Sequence, residues 1–317
     1  MEPGCPLQRD SNKIRKRREQ MKRTVVSLVM ALALIGLAAQ VSQARSYSIG
    51  VNQFVEHPAL DAVLAGLQDY FKDKQLEVSF KVHNAQANMG TASQIGQQML
   101  GEQSDLLVAI ATPSAQACAQ ALHKAPPGLR RPFLFTAVTD PQAAGLVKNL
   151  DHPGGYITGV SDLLPVKEHL KMVLTFKPGI RRLGFLYNAG EANSKATLLT
   201  LKKLSSEMGF KVVGATASKT ADVYQAAKSM VGRVDAIFIP TDNTIISALE
   251  SVLKVGIQNR LPVFTADVDS VARGSVAAMG FDYYDTATRP APWPTVSLRG
   301  RTRGRSRWSF KRNSSST

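Results

Sequence analysis

Cysteine is nearly absent from this chain: 317 residues carry two, Cys5 and Cys118. Cys5 lies in an N-terminal extension, so Cys118 stands alone in the body. No internal disulfide can form there, and the fold must rest on its apolar core. Histidine is sparse as well. His57, His83, His123, His152 and His169 fall at no spacing that suits a metal ion, so no metal site is expected. The chain has no Gly-x-Ser-x-Gly elbow, no Walker-type phosphate loop and no dinucleotide fingerprint. With no nucleophile singled out, the chain reads as a protein that is not an enzyme and takes no cofactor. Apolar runs of membrane-spanning length are missing too. The clearest, Val25 to Ala39, holds about fifteen residues with Gly36 inside it, short of the ~20 that a bilayer span needs.

Acidic residues are the last shortage. Against 39 Lys and Arg there are 24 Asp and Glu, a net charge of +15, which on its own would suggest nucleic acid. The excess sits at the ends: residues 1–23 carry eight basic and three acidic side chains, and residues 286–317 carry eight and none. The 23 basic and 21 acidic residues between them leave a nearly neutral body. It has no basic groove, which removes nucleic acid as a partner.

What is present begins with Met21-Lys22-Arg23, the apolar run, and Ser42-Gln43-Ala44. A positive start, an apolar middle and a small-x-small end predict a secretory signal peptide over 21–44, cleaved after Ala44. The mature chain is then soluble and periplasmic. Residues 1–20 form a basic extension upstream of it, and Met21 is an alternative start.

The body repeats one pattern. Leu106-Leu-Val-Ala-Ile110 reads as a buried parallel strand, and Thr112-Pro113-Ser114 opens a helix on 114–124. Free backbone N–H groups and the positive helix end then face outward at the strand's carboxyl end, a place for an anionic group. Apolar strands are predicted at 47–52, 77–83, 106–111, 132–138, 182–187, 211–215, 235–240 and 262–265. The helices between them are 59–73, 91–102, 114–124, 165–176, 193–208, 221–231 and 243–259. Near-continuous apolar strands alternating with helices predict an α/β fold of two lobes, each a parallel sheet covered by helices, with a hinge between them. The first lobe is placed at 45–160 and the second at 161–276. Residues 277–285 cross back to the first lobe, and 286–317 form an aberrant basic tail without periodicity. Six strand ends carry hydroxyls, amides and carboxylates. In such sheets, ligands bind outside the carboxyl ends of the strands.

The segments Val55-Glu-His-Pro-Ala-Leu-Asp61, Ala109-Ile-Ala-Thr-Pro-Ser-Ala-Gln116 and Thr136-Ala-Val-Thr-Asp-Pro141 carry a resemblance. So do Tyr187-Asn-Ala-Gly-Glu-Ala-Asn-Ser194, Pro240-Thr-Asp-Asn-Thr244 and Gly280-Phe-Asp-Tyr-Tyr284. Over residues 47–285 the chain resembles the ABC-transporter substrate-binding family of the tryptophan/tyrosine-binding type, which has a periplasmic-binding-protein-like fold. That resemblance implies capture of a small solute between the lobes, most often an amino acid and aromatic in several members. Delivery then goes to a membrane permease and its ATPase. The family continues past the Tyr-Tyr-Asp with a helix of the first lobe and a last crossing strand. The sequence shows neither pattern, so its C-terminal part reads as incomplete.

An amino acid needs an anion site and a cation site close together, with a pocket for its side chain. Thr112 and Ser114, with the helix amides beside them, suit the carboxylate, and Thr139 and Asp140 face the crevice from the next strand. Asp242 and Asp267 are the candidates for the ammonium group, since a carboxylate gives a charge-assisted bond. Glu191, Asn193 and Ser194 complete either site, and Phe54 and Tyr187 flank an aromatic side chain. Each residue also has a plainer role open to it: Asp242 and Asn193-Ser194 as helix N-caps, Thr139-Asp140-Pro141 as a turn, and Phe54 and Tyr187 as core. A two-lobed regulator would need an N-terminal helix-turn-helix where the signal peptide stands, and a hydrolase would need the missing nucleophile. A frame-damaged, non-functional member and a receptor for a branched-chain amino acid stay open.

Overall fold

The apolar runs become the inner strands of two parallel sheets. The computed structural model describes Met21 and residues 46–163 and 165–288. The expected signal peptide beyond Met21, the stretch before it and the chain from residue 289 onward lie outside the described residues. In the first sheet the strand order is β2-β1-β3-β4-β5. It comprises β1 (Tyr47–Gln53), β2 (Val78–Asn84), β3 (Leu106–Ile110), β4 (Phe133–Val138) and β5 (Ile157–Ser161). The second sheet comprises β6 (Arg182–Tyr187), β7 (Lys211–Thr216), β8 (Ala236–Ile239), β9 (Val263–Thr265) and β10 (Ala277–Ala278), in the order β10-β9-β8-β6-β7. All pairings are parallel. Inner strands β3 and β8 are buried at every residue, whereas edge strands β2 and β7 alternate with exposed positions. That is the burial parallel sheets with covered faces require.

Register fixes where the strands end together. Gln53 pairs with Ile110 and Ile110 with Thr136, so β1, β3 and β4 finish at one level. Phe238 pairs with both Phe185 and Phe264, which aligns the inner strands of the second sheet. Strand alternation sends Ala236 and Phe238 to one face of that sheet and Ile237 and Ile239 to the other, each into its own core cluster. The first sheet builds one cluster around Phe54, Phe133, Phe135, Ile49 and Leu107. Cys118 belongs to it; burial pushes its thiol up to about 12, which makes it an inert part of the core.

Ten helices among the described residues cover the sheets: α1 (Pro58–Asp73), α2 (Met89–Gly101), α3 (Thr112–Lys124), α4 (Val166–Phe176), α5 (Ala192–Glu207), α6 (Val223–Lys228), α7 (Asn243–Ser247), α8 (Leu249–Gln258), α9 (Asp269–Arg273) and α10 (Tyr283–Thr288). Three differ from expectation. The predicted helix 243–259 is two helices, broken at Ala248. The Arg273 guanidinium takes the Ile246 carbonyl at 2.8 Å and holds both oxygens of Glu250, so the chain turns there. Helix α9 is too short to leave a periodic signal. Helix α10 continues to Thr288, past Asp285 where the helical pattern was read to stop, and it packs on α1 with Tyr283 and Ala287 in the first core.

Strand β5 is the edge strand of the first sheet. Its pairing with β4 is irregular between Phe135 and Val138, where Ala137 takes a left-handed φ of 53°. Gly159 lies directly against Phe135: a Cβ there would stand 2.0 Å from the Phe135 carbonyl oxygen. Only glycine lets the two backbones approach so closely.

Candidate functional site

Each sheet reverses its strand order beside its first strand, between β1 and β3 in one and between β6 and β8 in the other, while every strand keeps the same direction. The loops that follow those strands carry most of the residues singled out in the sequence. Chain strain marks the first of them. Ala111, just before α3, sits at φ 82° and ψ 154°, a region that only glycine enters readily. Its N–H is nevertheless fixed to the Thr136 carbonyl at 3.0 Å. Thr112 and Ser114 follow, both buried. Ser114 Oγ donates to Asn52 Oδ1 at 2.8 Å, and Asn52 in turn donates to the Ala92 carbonyl. The start of α3 is thereby tied to β1 and α2.

The second lobe's candidates form one buried clasp. Glu191 is fully buried and accepts five hydrogen bonds. Its Oε1 takes the Thr244 backbone N–H at 2.9 Å and the Thr244 hydroxyl at 2.8 Å. Its Oε2 takes the Asn243 backbone and side-chain N–H groups and the Asn193 amide. Asp242 caps α7 through the Ile245 N–H at 2.9 Å, and its other oxygen accepts from the Asn188 N–H and Ser194 Oγ, each at 2.6 Å. Burial, and then the neighbouring Glu191 charge, hold the Asp242 carboxyl well above the ordinary carboxylate range. The plain reading of Asp242 as an N-cap is thus realised; Glu191, Asn193 and Ser194 pin the loop after β6 to the loop after β8.

Between the two sheets lies a narrow cleft, about 310 Å³ of empty space with its open mouth counted, of which only about 20 Å³ admits a water-sized sphere. His57 and Asp162 line it from the first lobe, Thr241, Asp242, Asn243 and Asp267 from the second, with Tyr283 of the returning helix. An adjoining cavity of about 260 Å³ is bordered by Thr139, Asp162, His169, Phe238 and Thr241. Thr139 and Thr241 bridge the lobes with their hydroxyls 2.9 Å apart. Of the eleven residues expected from the sequence, Asp242, Asp267 and Thr139 border these cavities. Thr112, Ser114, Asp140, Glu191, Asn193 and Ser194 do not. Asp140 holds the turn after β4 by accepting from the Gln142 and Ala143 N–H groups. Phe54 is fully buried in the first core, and Tyr187 stacks at 5.2 Å on Phe185.

His57, Asp162, Thr241, Asn243 and Tyr283 were not singled out as site residues in the sequence. Each is one polar residue within a longer segment, and only Pro58 after His57 marked a helix start. His57 precedes α1 and is 8 % exposed, with neither ring nitrogen hydrogen-bonded. Burial drives its pKa down to about 4; the nearby Asn243 amide opposes the shift and the Arg273 charge adds to it. His169 is likewise lowered by burial, and its Nε2–H donates to the Met279 carbonyl at 2.8 Å. Tyr283 Oη donates to Asp162 Oδ2 at 2.7 Å. Burial raises the Asp162 pKa, and the hydroxyls of Tyr283 and Thr139 work against that rise.

Because His57 is neutral when folded, acid works against the folded state. The unfolded ring protonates near 6.5 and the folded one at about 4, so its contribution is complete above pH 6.5, shrinks as pH falls to 4 and is constant below. Between pH 7 and pH 4.5 this amounts to roughly 2–3 kcal/mol. The raised carboxyls of Asp162 and Asp242 act in the opposite sense. The comparison is therefore between wild type and His57→Gln, whose urea-unfolding free energies should converge by that amount on acidification. Parallel curves for the two proteins would show that His57 is not buried neutral.

Two parallel α/β lobes with a polar cavity bounded by loops of both define a two-lobed solute-binding protein. The chain belongs to the ABC transporter substrate binding protein family, whose family model matches residues 48–303. That match runs past Asp285, where the resemblance read from the sequence ended. Over 240 residues it is 37% identical to the tyrosine-binding protein of Clostridioides difficile, covering 74% of this chain and 68% of that one. The crystal structure of an ABC domain in complex with L-Trp from Streptococcus pneumoniae is 29% identical, with a TM-score of 0.77 over 84% of this chain and 90% of the other. A ligand-free, open structure of a substrate binding protein with adhesive properties from Clostridium difficile is 34% identical, yet its TM-score is 0.57, over 83% and 89%. The chain is nearer in sequence to the open protein and nearer in shape to the liganded one. Within the structure the two lobes are joined through the Thr139–Thr241 hydroxyl contact.

Proposed function

We propose that this chain captures an α-amino acid, aromatic in preference, between its two lobes and presents the closed form to a membrane permease and its ATPase. The observation that carries the reading is the charge of the cleft. Asp162, Asp242 and Asp267 border the first cavity, no Lys or Arg among the described residues lines it, and its histidine is held neutral. Such a wall suits an ammonium group. Thr139 and Thr241 bring hydroxyls to the same wall for the carboxylate. Thr112 and Ser114 at the start of α3, and the core residues Phe54 and Tyr187, border neither cavity and support the loops from behind. The tyrosine-binding and L-Trp-complexed relatives support an aromatic side chain. The work takes place in the periplasm after removal of residues 21–44. Among the described residues no helix is long and apolar enough to cross a membrane.

Calorimetric titration of the purified protein with the twenty amino acids tests this. L-Tyrosine or L-tryptophan should bind at micromolar concentration or below, and the other amino acids at least about tenfold more weakly. A folded protein that binds none of the twenty would overturn the amino-acid reading and direct the search to other small solutes.

A further inference from the structure

The three cleft carboxylates are not equally free. Asp242 accepts three hydrogen bonds, spread over both its oxygens, from Ile245, Asn188 and Ser194. Asp267 accepts the Asp269 N–H on one oxygen at 3.0 Å and the Ser270 hydroxyl on the other. Both are engaged in shaping the loops they belong to. Asp162 differs: Oδ2 accepts from Tyr283, whereas Oδ1 has no hydrogen bond of good geometry, only the Thr139 hydroxyl near enough to favour its charge, although the residue is 4 % exposed. Asp162 is also the carboxylate that borders both cavities, beside Thr241 in each.

We propose that Asp162, at the end of β5, is the residue that receives the ligand's ammonium group, with Tyr283 acting as a positioning residue that holds one carboxylate oxygen so that the other faces the cavity. The inference rests on the amino-acid reading above and names the group within it. A buried carboxylate oxygen without a donor is destabilising until a donor arrives. An ammonium brings three N–H groups and a full positive charge. One reaches Oδ1, and the Thr139 and Thr241 hydroxyl oxygens at the same wall offer acceptors for the rest. The ring of His57 is neutral, so it sets no positive charge in the cavity wall against a bound cation. Since Asp162 follows the last strand of the first sheet and Tyr283 begins the helix that returns to that lobe, a ligand held here touches both segments that pass between the lobes.

The experiment compares ligands with and without the amino group. L-Tyrosine and 3-(4-hydroxyphenyl)propanoate are titrated by calorimetry into full-length wild type, Asp162→Asn and Tyr283→Phe, and L-tryptophan and 3-(indol-3-yl)propanoate are treated the same way. Wild type should prefer each amino acid over its des-amino analogue. Asp162→Asn should weaken amino-acid binding about a hundredfold while changing the analogue by no more than about threefold, so that the preference disappears. Tyr283→Phe should reduce the preference several-fold by releasing the carboxylate. A folded Asp162→Asn protein that keeps the wild-type preference overturns the assignment alone. If Asp162→Asn does not fold, an undiminished preference in Tyr283→Phe overturns it. A wild type that binds neither amino acid overturns the aromatic amino-acid reading, and the assignment with it.

Discussion

Glu191→Ala is expected to lower the unfolding free energy by about 4 kcal/mol, because the buried donors that its carboxylate satisfies lose their acceptor. The residue is 0 % exposed and its loss strands five donors: two backbone N–H groups at the start of α7, the Thr244 hydroxyl and two amide groups. Water cannot reach them to compensate, and each unsatisfied buried donor is destabilising by about 1–3 kcal/mol before relaxation. For lobes of this size the midpoint of thermal unfolding should fall by roughly 8–16 °C. Glu191→Gln should fall less, since it keeps the shape and one acceptor. Differential scanning calorimetry of the three proteins decides it; a Glu191→Ala midpoint within 2 °C of wild type would show the clasp to be dispensable. Affinity for any ligand has to be compared below that midpoint, because the variant loses its second lobe before it loses a contact.

Gly159→Ala should be more damaging still, by more than about 4 kcal/mol, and accumulate as insoluble protein. The new methyl would lie 2.0 Å from the Phe135 carbonyl oxygen and 2.4 Å from its ring, and neither can yield. The carbonyl belongs to β4 at the strand pairing, and the ring is fully buried in the first core. The remaining course is for β5 to leave the sheet, taking Asp162 with it. Soluble yield and circular dichroism at 25 °C are the readouts, and a soluble variant with a wild-type melting curve would contradict the packing described.

The fold was legible because parallel strands buried on both faces must be apolar throughout. Leu106–Ile110 and Ala236–Ile239 announce themselves, and the turns after them are marked by proline, threonine and aspartate. Where the sequence misled, a distant side chain intervened. Nothing near Ala248 foretells a break; Arg273, 25 positions on, takes the carbonyl beside it. Helix α9, with five residues, is shorter than two turns and has no periodicity to read. The cleft was legible in outline, since strand ends rich in hydroxyls and carboxylates point to it. Ranking its carboxylates was not, because Asp162, Asp242 and Asp267 are the same residue type after the same kind of strand. They differ in how many donors the tertiary structure has already given them. His57 and Tyr283 escaped notice for the same reason, each being one polar residue whose meaning lies in a partner about 120 to 190 positions away.

The Thr139–Thr241 bridge bears on how fast the cleft can empty. Two uncharged hydroxyls contribute about 1 kcal/mol to a folded arrangement, which tilts a two-state balance only about fivefold. A latch that light, taken alone, does little to hold the lobes shut. Residence time of a solute between the lobes then rests on the solute's own contacts rather than on this bridge.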